Sequence, residues 1–395
     1  MLNVWPALPI VIDASITNSQ RSSVANIIAA LRQHDLVCRI VIFDVPNSLL
    51  KSAEMKKQFP KLTSLRLFSN EDNAPAIPKS FLGGSAPHLQ TLTLRGITFP
   101  FPALGKLLLS ATDLVALHLF DIPNSGIISP ALIVTTLSRL TRLQNFSMSF
   151  QIPRSRADRE RQHLPLSKRL VFPSLTDFAF KGDSEYLEDI VGRIDTPALD
   201  KLTISFFNQL VFDTPLLREF FSRTEVFRGP HRADVAVSTN ITVTLFRLEG
   251  MVEHRVLNVM ISSRVAEWQV SSLAQFCSSS FPPFSKLERL SINTYMFKGL
   301  NEGWADGMES CQWLELLRPF VAVRDLVLPA EFGVASQVAT ALQELTGSAV
   351  TEVLPALGRV FVHHVDVDRI QRIFALFITA RQLSSHPVSV HPQAM

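Results

Sequence analysis

The sequence predicts an α/β solenoid in which a curved parallel sheet lines the concave side and helices line the convex side. Three observations carry that expectation. An uneven aliphatic triplet recurs along the chain, helix signals fall between its copies, and the chain is too long for one ordinary core. Its 395 residues exceed the roughly 250–300 at which single cores stop growing. A solenoid has no such ceiling, because each unit packs only on its neighbours.

The triplet is L-x-x-L-x-L, as in "FPKLTSLRLFSN" at 59–70. On an extended chain, side chains alternate faces, so positions 4 and 6 point the same way. Position 1 lies in the approach to the strand and turns inward. Copies stand at Val37/Ile40/Ile42, Leu62/Leu65/Leu67, Leu89/Leu92/Leu94 and Leu114/Leu117/Leu119. They continue at Leu143/Phe146/Met148, Leu175/Phe178/Phe180 and Leu199/Leu202/Ile204. The later copies are Val256/Val259/Ile261, Leu287/Leu290/Ile292, Val323/Leu326/Leu328 and Leu357/Val360/Val362. Spacings through Leu199 are 25, 27, 25, 29, 32 and 24 residues. One short strand per unit at such a period is the mark of a leucine-rich-repeat-like solenoid. A gap of 57 residues then leaves room for two units, with an irregular strand expected at "ADVAVS" around Val235. Beyond it the spacings lengthen to 31, 36 and 34.

Helices are expected between the strands. "SSVANIIAALRQHD" sets Val24, Ile27, Ile28 and Leu31 at helical spacing. "ISPALIVTTLSRL" offers Ser129 as a cap and Pro130 at the first helical position, and Thr214–Pro215 repeats the device. "SCQWLELLRPF", "ASQVATALQELTG" and "DVDRIQRIFALFITARQLS" supply later helices. The chain is thus expected to form a single solenoid over 1–395. It comprises an N-terminal cap and first helix (1–36), more regular repeats (37–215), degenerate repeats (216–365) and a C-terminal helix and tail (366–395). Trp5, Leu8, Ile10 and Ile12 suggest that 5–12 form a capping strand against the Val37 unit, since an end repeat must hide one face of the stack.

An apolar fraction of 47% against 18% charged residues suits a buried core and argues against broad disorder. A formal charge of +3 is too small to imply nucleic acid. Cys38, Cys277 and Cys311 are few, odd in number and widely spaced, which suits a reducing, intracellular compartment, cytoplasmic or nuclear. The N-terminus lacks a basic n-region and is not read as a signal peptide. The sequons at Asn145 and Asn240 are accordingly read as chance matches. No uncharged apolar run reaches the roughly 18 residues of a membrane span.

Several longer strings resemble the leucine-rich-repeat region of fungal F-box proteins. They include "WPALPIVI" (5–12), "FLGGSAPHLQTLTLRGI" (81–97), "LLLSATDLVALHL" (107–119), "IPNSGIISP" (122–130), "SEYLEDIVGRIDTPALDKLTISFFNQLVFDTP" (184–215), "SCQWLELLRPFVAVRDL" (310–326) and "ARQLSSHPV" (380–388). The likeness covers nearly the whole chain. It implies repeats that hold a substrate protein, behind an F-box that docks on the adaptor of a cullin-type ubiquitin ligase. No F-box-like segment precedes "WPALPI", so adaptor binding is expected only if an F-box lies upstream.

Sites of chemistry are scarce. "FLGGSAP" lacks the lysine and hydroxyl of a phosphate loop and reads as a turn before a strand. In "HHVD" the adjacent His363 and His364 would face opposite ways on a strand, so with Asp366 they read as a polar strand end rather than a metal site. Cys38 reads as a small core residue. Asp183, Glu185, Glu188 and Asp189 read as the solvated first turn of a helix. The block 152–170 sets Arg154, Arg156, Arg159, Arg161, Lys168 and Arg169 against Asp158 and Glu160. It reads as a solvated loop or a basic lip for an acidic partner, and without interleaved aromatics it does not suit single-stranded nucleic acid.

The expected working surface follows from the two-residue period. If positions 4 and 6 point inward, positions 3, 5 and 7 face the concave side. Position 7 is Phe43, Phe68, Arg95 and Phe120 in the first four units, with Arg66 and His118 at position 5. These residues, with Arg154 and Arg156 at the edge, are the candidate contacts for a partner protein of unspecified identity. The expected function is that of a non-enzymatic interaction scaffold with no cofactor, metal, nucleic acid or membrane. The rival readings are a ligase specificity subunit and an enzyme on a conventional α/β fold, and the latter would need convergent polar groups in one pocket.

Overall fold

A computed structural model describes residues 8–16, 21–70, 74–153, 168–207, 212–237, 240–262, 266–280, 286–294, 309–329, 332–363 and 367–393. The chain divides into two compact units, Met1–Asp200 and Lys201–Met395.

In the first unit seven strands form a parallel ladder in chain order: β1 (Ile10–Ser15), β2 (Val37–Phe43), β3 (Ser64–Phe68), β4 (Thr91–Arg95), β5 (Ala116–Ile122), β6 (Asn145–Phe150) and β8 (Asp177–Gly182). A separate two-stranded sheet pairs β7 (Leu170–Val171) with β9 (Ile194–Asp195). Position 4 of every triplet lies in one row, Ile40–Leu65–Leu92–Leu117–Phe146–Phe178, and position 6 in another, Ile42–Leu67–Leu94–Leu119–Met148–Phe180. All twelve side chains are buried.

The uneven spacing has a backbone cause. In four successive units the N–H of the position-1 residue closes a turn onto the carbonyl three residues earlier: Leu62 on Phe59 (3.2 Å), Leu89 on Ala86 (3.1 Å), Leu114 on Ala111 (3.1 Å) and Leu143 on Leu140 (3.1 Å). That turn carries position 1 inward before the strand begins. The next N–H joins the neighbouring unit: Thr63 to Cys38, Gln90 to Thr63, Val115 to Gln90 and Gln144 to Val115, at 2.8–2.9 Å. A left-handed residue follows β2 at Asp44 (φ 54°) and β4 at Gly96 (φ 63°), and another lies near the end of β5 at Asp121 (φ 50°). A Cβ on Gly96 would lie 2.2 Å from the Ser69 carbonyl oxygen, so glycine alone fits there.

Helices return the chain at Arg21–Leu31, Asn47–Leu50, Phe101–Ser110, Pro130–Leu137 and Ser184–Val191. The Ser129 hydroxyl accepts from the Leu132 N–H at 3.3 Å, the cap the sequence implied. Between β3 and β4 the described residues hold only a tight 3-10 turn at Phe81–Gly84, where Leu82, Gly83 and Gly84 all have positive φ. The cap strand expected at 5–12 lies instead at Ile10–Ser15 as β1, which pairs with β2 through a register shift between Ile10 and Val11; Ile12 is buried and Leu8 is 77% exposed. Trp5 lies outside the described residues.

The second unit departs from one strand per repeat. Its order is β10 (Lys201–Phe206), β13 (Val252–Ser262), β12 (Asn240–Glu249), β11 (Arg232–Val237), β14 (Arg289–Thr294), β15 (Asp325–Leu328), β16 (Arg359–His363) and β17 (Ser389–Gln393). β12 is antiparallel to both neighbours, so this sheet is not wholly parallel as expected. "ADVAVS" is β11, and it lies away from β10 because β12 and β13 fill the gap. The Val256/Val259/Ile261 triplet is also displaced: Leu202 pairs with Leu257, and Ile204 with Val259. A buried row nevertheless runs from β10 to β16, Leu202–Leu257–Leu245–Ala233–Leu290–Leu326–Val360, and half-buried Val390 continues it on β17. Period-two alternation survives reversal of strand direction.

Helices in this unit run Pro215–Arg223, Ala266–Ser280, Ser310–Leu317, Phe332–Gln343 and Val367–Leu383. The Thr214 hydroxyl does not cap its helix, whereas Glu309 and Gln312 form a reciprocal capping box. Arg381 is fully buried, and its guanidinium donates to the carbonyls of Val350 (3.2 Å), Leu354 (3.4 Å), Pro355 (3.1 Å) and Leu357 (3.0 Å). It ties the last helix to the segment before β16.

Since Leu92 sits in the middle of the first ladder with no exposed surface, Leu92→Ala should lower the unfolding free energy by roughly 2–5 kcal/mol in urea titration. A loss well under 1 kcal/mol would mean that the row is not a packed core.

Candidate functional surface

In the first unit the row opposite the core presents Arg39, Ser64, Thr91 and Ala116 at position 3. Position 5 gives Val41, Arg66, Thr93 and His118. Phe68, Arg95 and Phe120 share a row at position 7, and Phe43 stacks on Phe68 with ring centroids 4.7 Å apart and planes 9° from parallel. Phe43 is 43% exposed, while Phe68 and Phe120 are half-buried. Offset aromatic pairs of this kind are stable and rigid.

The other sequence-derived candidates divide into three groups. Arg66 is exposed and makes no hydrogen bond or ion pair among the described residues. Arg95 is engaged, its Nε donating to Asp121 Oδ2 at 2.7 Å. Arg154 and Arg156 lie outside the described residues, as do His364 and Asp366. Sequence reasoning missed Arg39, which is exposed at position 3 of β2 and likewise without a polar partner among the described residues. The period-two rule that selected positions 5 and 7 would have found it.

His118 stacks on Phe120 at 5.6 Å. Its Nδ1 is buried without a hydrogen-bond partner among the described residues. Burial first, and then the Arg66 charge, push its pKa below the usual 6.5, while Asp177 pulls the other way. The neutral imidazole is therefore the favoured form on this face.

Two arginines on the second unit's sheet have carboxylate partners beside them. Arg232 binds Asp234 through two nitrogens, at 2.8 and 2.6 Å, and reaches Glu253 at 2.5 Å. Arg359 grips Asp325 at 2.7 and 2.8 Å, and Arg289 lies over the Phe361 ring. Arg39 and Arg66 on the first unit stand without such a carboxylate among the described residues.

The acidic residues of 183–189 require a correction. They are not a solvated turn: Asp183, Glu188 and Asp189 are only 2%, 7% and 9% exposed. The helix Ser184–Val191 is buried on most sides, held by Tyr186, whose hydroxyl donates to the Ile128 carbonyl at 2.7 Å. Asp189 pairs with Arg193 at 2.8 Å. The helix dipole favours acids in a first turn whether or not water reaches them, so the sequence signal said nothing about burial. Cys38 is half-buried rather than core. Burial pushes the Cys277 thiol up, and a hydrogen bond to Glu309 does the same for exposed Cys311, so neither is a ready thiolate. Among the described residues there is no cluster of three metal-ligating side chains and no helix long and apolar enough to cross a membrane.

No protein-family model matches the chain, and no characterised protein matches it by sequence. Among solved structures it is similar to the leucine-rich repeat-containing protein LegL7 from Legionella pneumophila, at 12% identity over 84% of this chain and 93% of that one, with a TM-score of 0.33. A superposition that loose carries no argument, so the fold rests on the strand register. None of these comparisons bears on the likeness to fungal F-box proteins.

The depressed pKa of His118 gives a pH signature with a definite sign. The unfolded chain takes up the proton first as pH falls, so the stability tied to neutral His118 is intact above about 6.5 and declines as pH drops through that value toward the lower folded pKa. In urea titrations between pH 5 and 7.5, His118→Gln should flatten the acid-side slope of the wild type. Identical slopes would show that the imidazole is not held neutral.

Proposed function

We propose that this protein is a leucine-rich-repeat-like scaffold that holds a partner protein against the open face of β2–β5 and performs no chemistry of its own. The observation that carries the reading is the stacked, partly exposed Phe43–Phe68 pair beside unpaired guanidiniums on an in-register sheet. Aromatic and arginine clusters are the usual energetic centres of protein interfaces, and exposed apolar groups fixed in one patch call for a partner. The backbone under them is tied by hydrogen bonds on both sides, so little ordering entropy remains to oppose binding. The repeat reading is supported by the turn-closing residue that opens each unit and by the two unbroken core rows. An intracellular setting fits three unpaired thiols. A ubiquitin-ligase role gains no support from this surface.

Tagged wild-type chain and the Phe43→Ala/Phe68→Ala double variant should be compared by quantitative affinity capture. Specifically retained partner should fall roughly tenfold or more, with the melting temperature nearly unchanged because both rings are partly solvated. Undiminished capture would remove this face as the contact site, and a collapsed melting temperature would make the rings part of the core.

A further inference from the structure

We infer that the open face of β2 and β3 takes an extended acidic segment of the partner protein, with a carboxylate side chain two positions from an aromatic or aliphatic one. The inference rests on the interaction reading above and supplies the partner's chemistry. Arg39 pairs across the sheet with Ser64, and Arg66 with Val41, so the two arginines are diagonal neighbours. Strand spacing and rise put their Cα atoms roughly 8 Å apart, close enough for two long side chains to converge on one anion. Both are exposed and without a polar partner among the described residues. Asp13, exposed on β1 beside Val41, forms no ion pair with either. Two like charges held side by side repel, and a carboxylate between them converts that repulsion into charge-assisted hydrogen bonds. Arg95, by contrast, already has Asp121.

The spacing selects the rest of the ligand. Phe68 lies two residues beyond Arg66 on the same strand, with Phe43 stacked on it. An extended peptide laid along β3 presents side chains on one face at the same two-residue interval, roughly 6.6 Å. An acidic side chain over the arginines therefore sets the residue two positions on over the phenylalanines. The rings already stack at 4.7 Å, so a nucleic-acid base has no slot between them, and a peptide is the better occupant.

A randomised twelve-residue peptide display library selected on the purified full chain tests this. The expected result is enrichment of Asp or Glu two positions from Phe, Tyr, Trp, Leu or Ile. A synthetic peptide of the enriched sequence should bind roughly tenfold or more weakly to Arg39→Gln/Arg66→Gln, and selection on Arg39→Glu/Arg66→Glu should enrich Lys or Arg instead. Circular dichroism melts of both variants should match the wild type, since both residues are exposed. Peptides lost on Phe43→Ala/Phe68→Ala but showing no acidic preference would overturn the inference and leave the interaction reading standing. Peptides indifferent to all these substitutions, no enriched peptide, or preferential binding of a single-stranded oligonucleotide that shares the arginine dependence would overturn both.

Discussion

Strand pairing without a register shift from β2 through β5 is the constraint from which the rest of the first unit follows. Once Ile40, Leu65, Leu92 and Leu117 occupy one row, a slip of one residue would turn a leucine to water and an arginine to the core. The turns closed by the Leu62, Leu89 and Leu114 N–H groups set where β3, β4 and β5 start, and the left-handed Asp44 and Gly96 mark where the chain leaves β2 and β4. Position 7 is thereby delivered to the same height on each strand. Phe43 stacks on Phe68 because the ladder puts them side by side, and the same geometry makes Arg39 and Arg66 neighbours on the solvent face.

In the second unit the ladder tolerates an interruption. β12 runs against its neighbours, yet Ile241, Val243 and Leu245 are buried and continue the core rows of β13 and β11. What the stack requires of a strand is alternation and register rather than direction. Each of Arg232 and Arg359 has a carboxylate within the same sheet, so the cost of gathering cations is met internally. Arg39 and Arg66 on β2 and β3 have no such carboxylate among the described residues.

The core rows of the first unit were legible in the sequence because a hydrophobic period is a direct imprint of burial. Ser129 and Pro130 marked a helix start for an equally local reason. The antiparallel hairpin was hidden because a template with one strand per unit spent the residues of β13 on a triplet. The alternation in "ITVTLF" and the glycine at 250 were the signals that could have shown it. Burial of Asp183, Glu188 and Asp189 is a tertiary fact that no local pattern encodes. On the candidate surface, period two placed Arg66, Phe68 and Phe120 on the open face, but the Arg95–Asp121 pair and the freedom of Arg39 depend on which residues meet across strands.

The central claim is that β3 is divided, residue by residue, between a packed face and a free one. Single cysteines at 64, 65, 66, 67 and 68, in a chain with Cys38, Cys277 and Cys311 replaced, would measure it through rates of labelling by a thiol reagent under native conditions. Positions 64, 66 and 68 should label fast and positions 65 and 67 slowly, with at least about a hundredfold between the sets, as expected where labelling of a core thiol must await opening of the structure. Uniform rates along the strand, or the opposite alternation, would contradict the account.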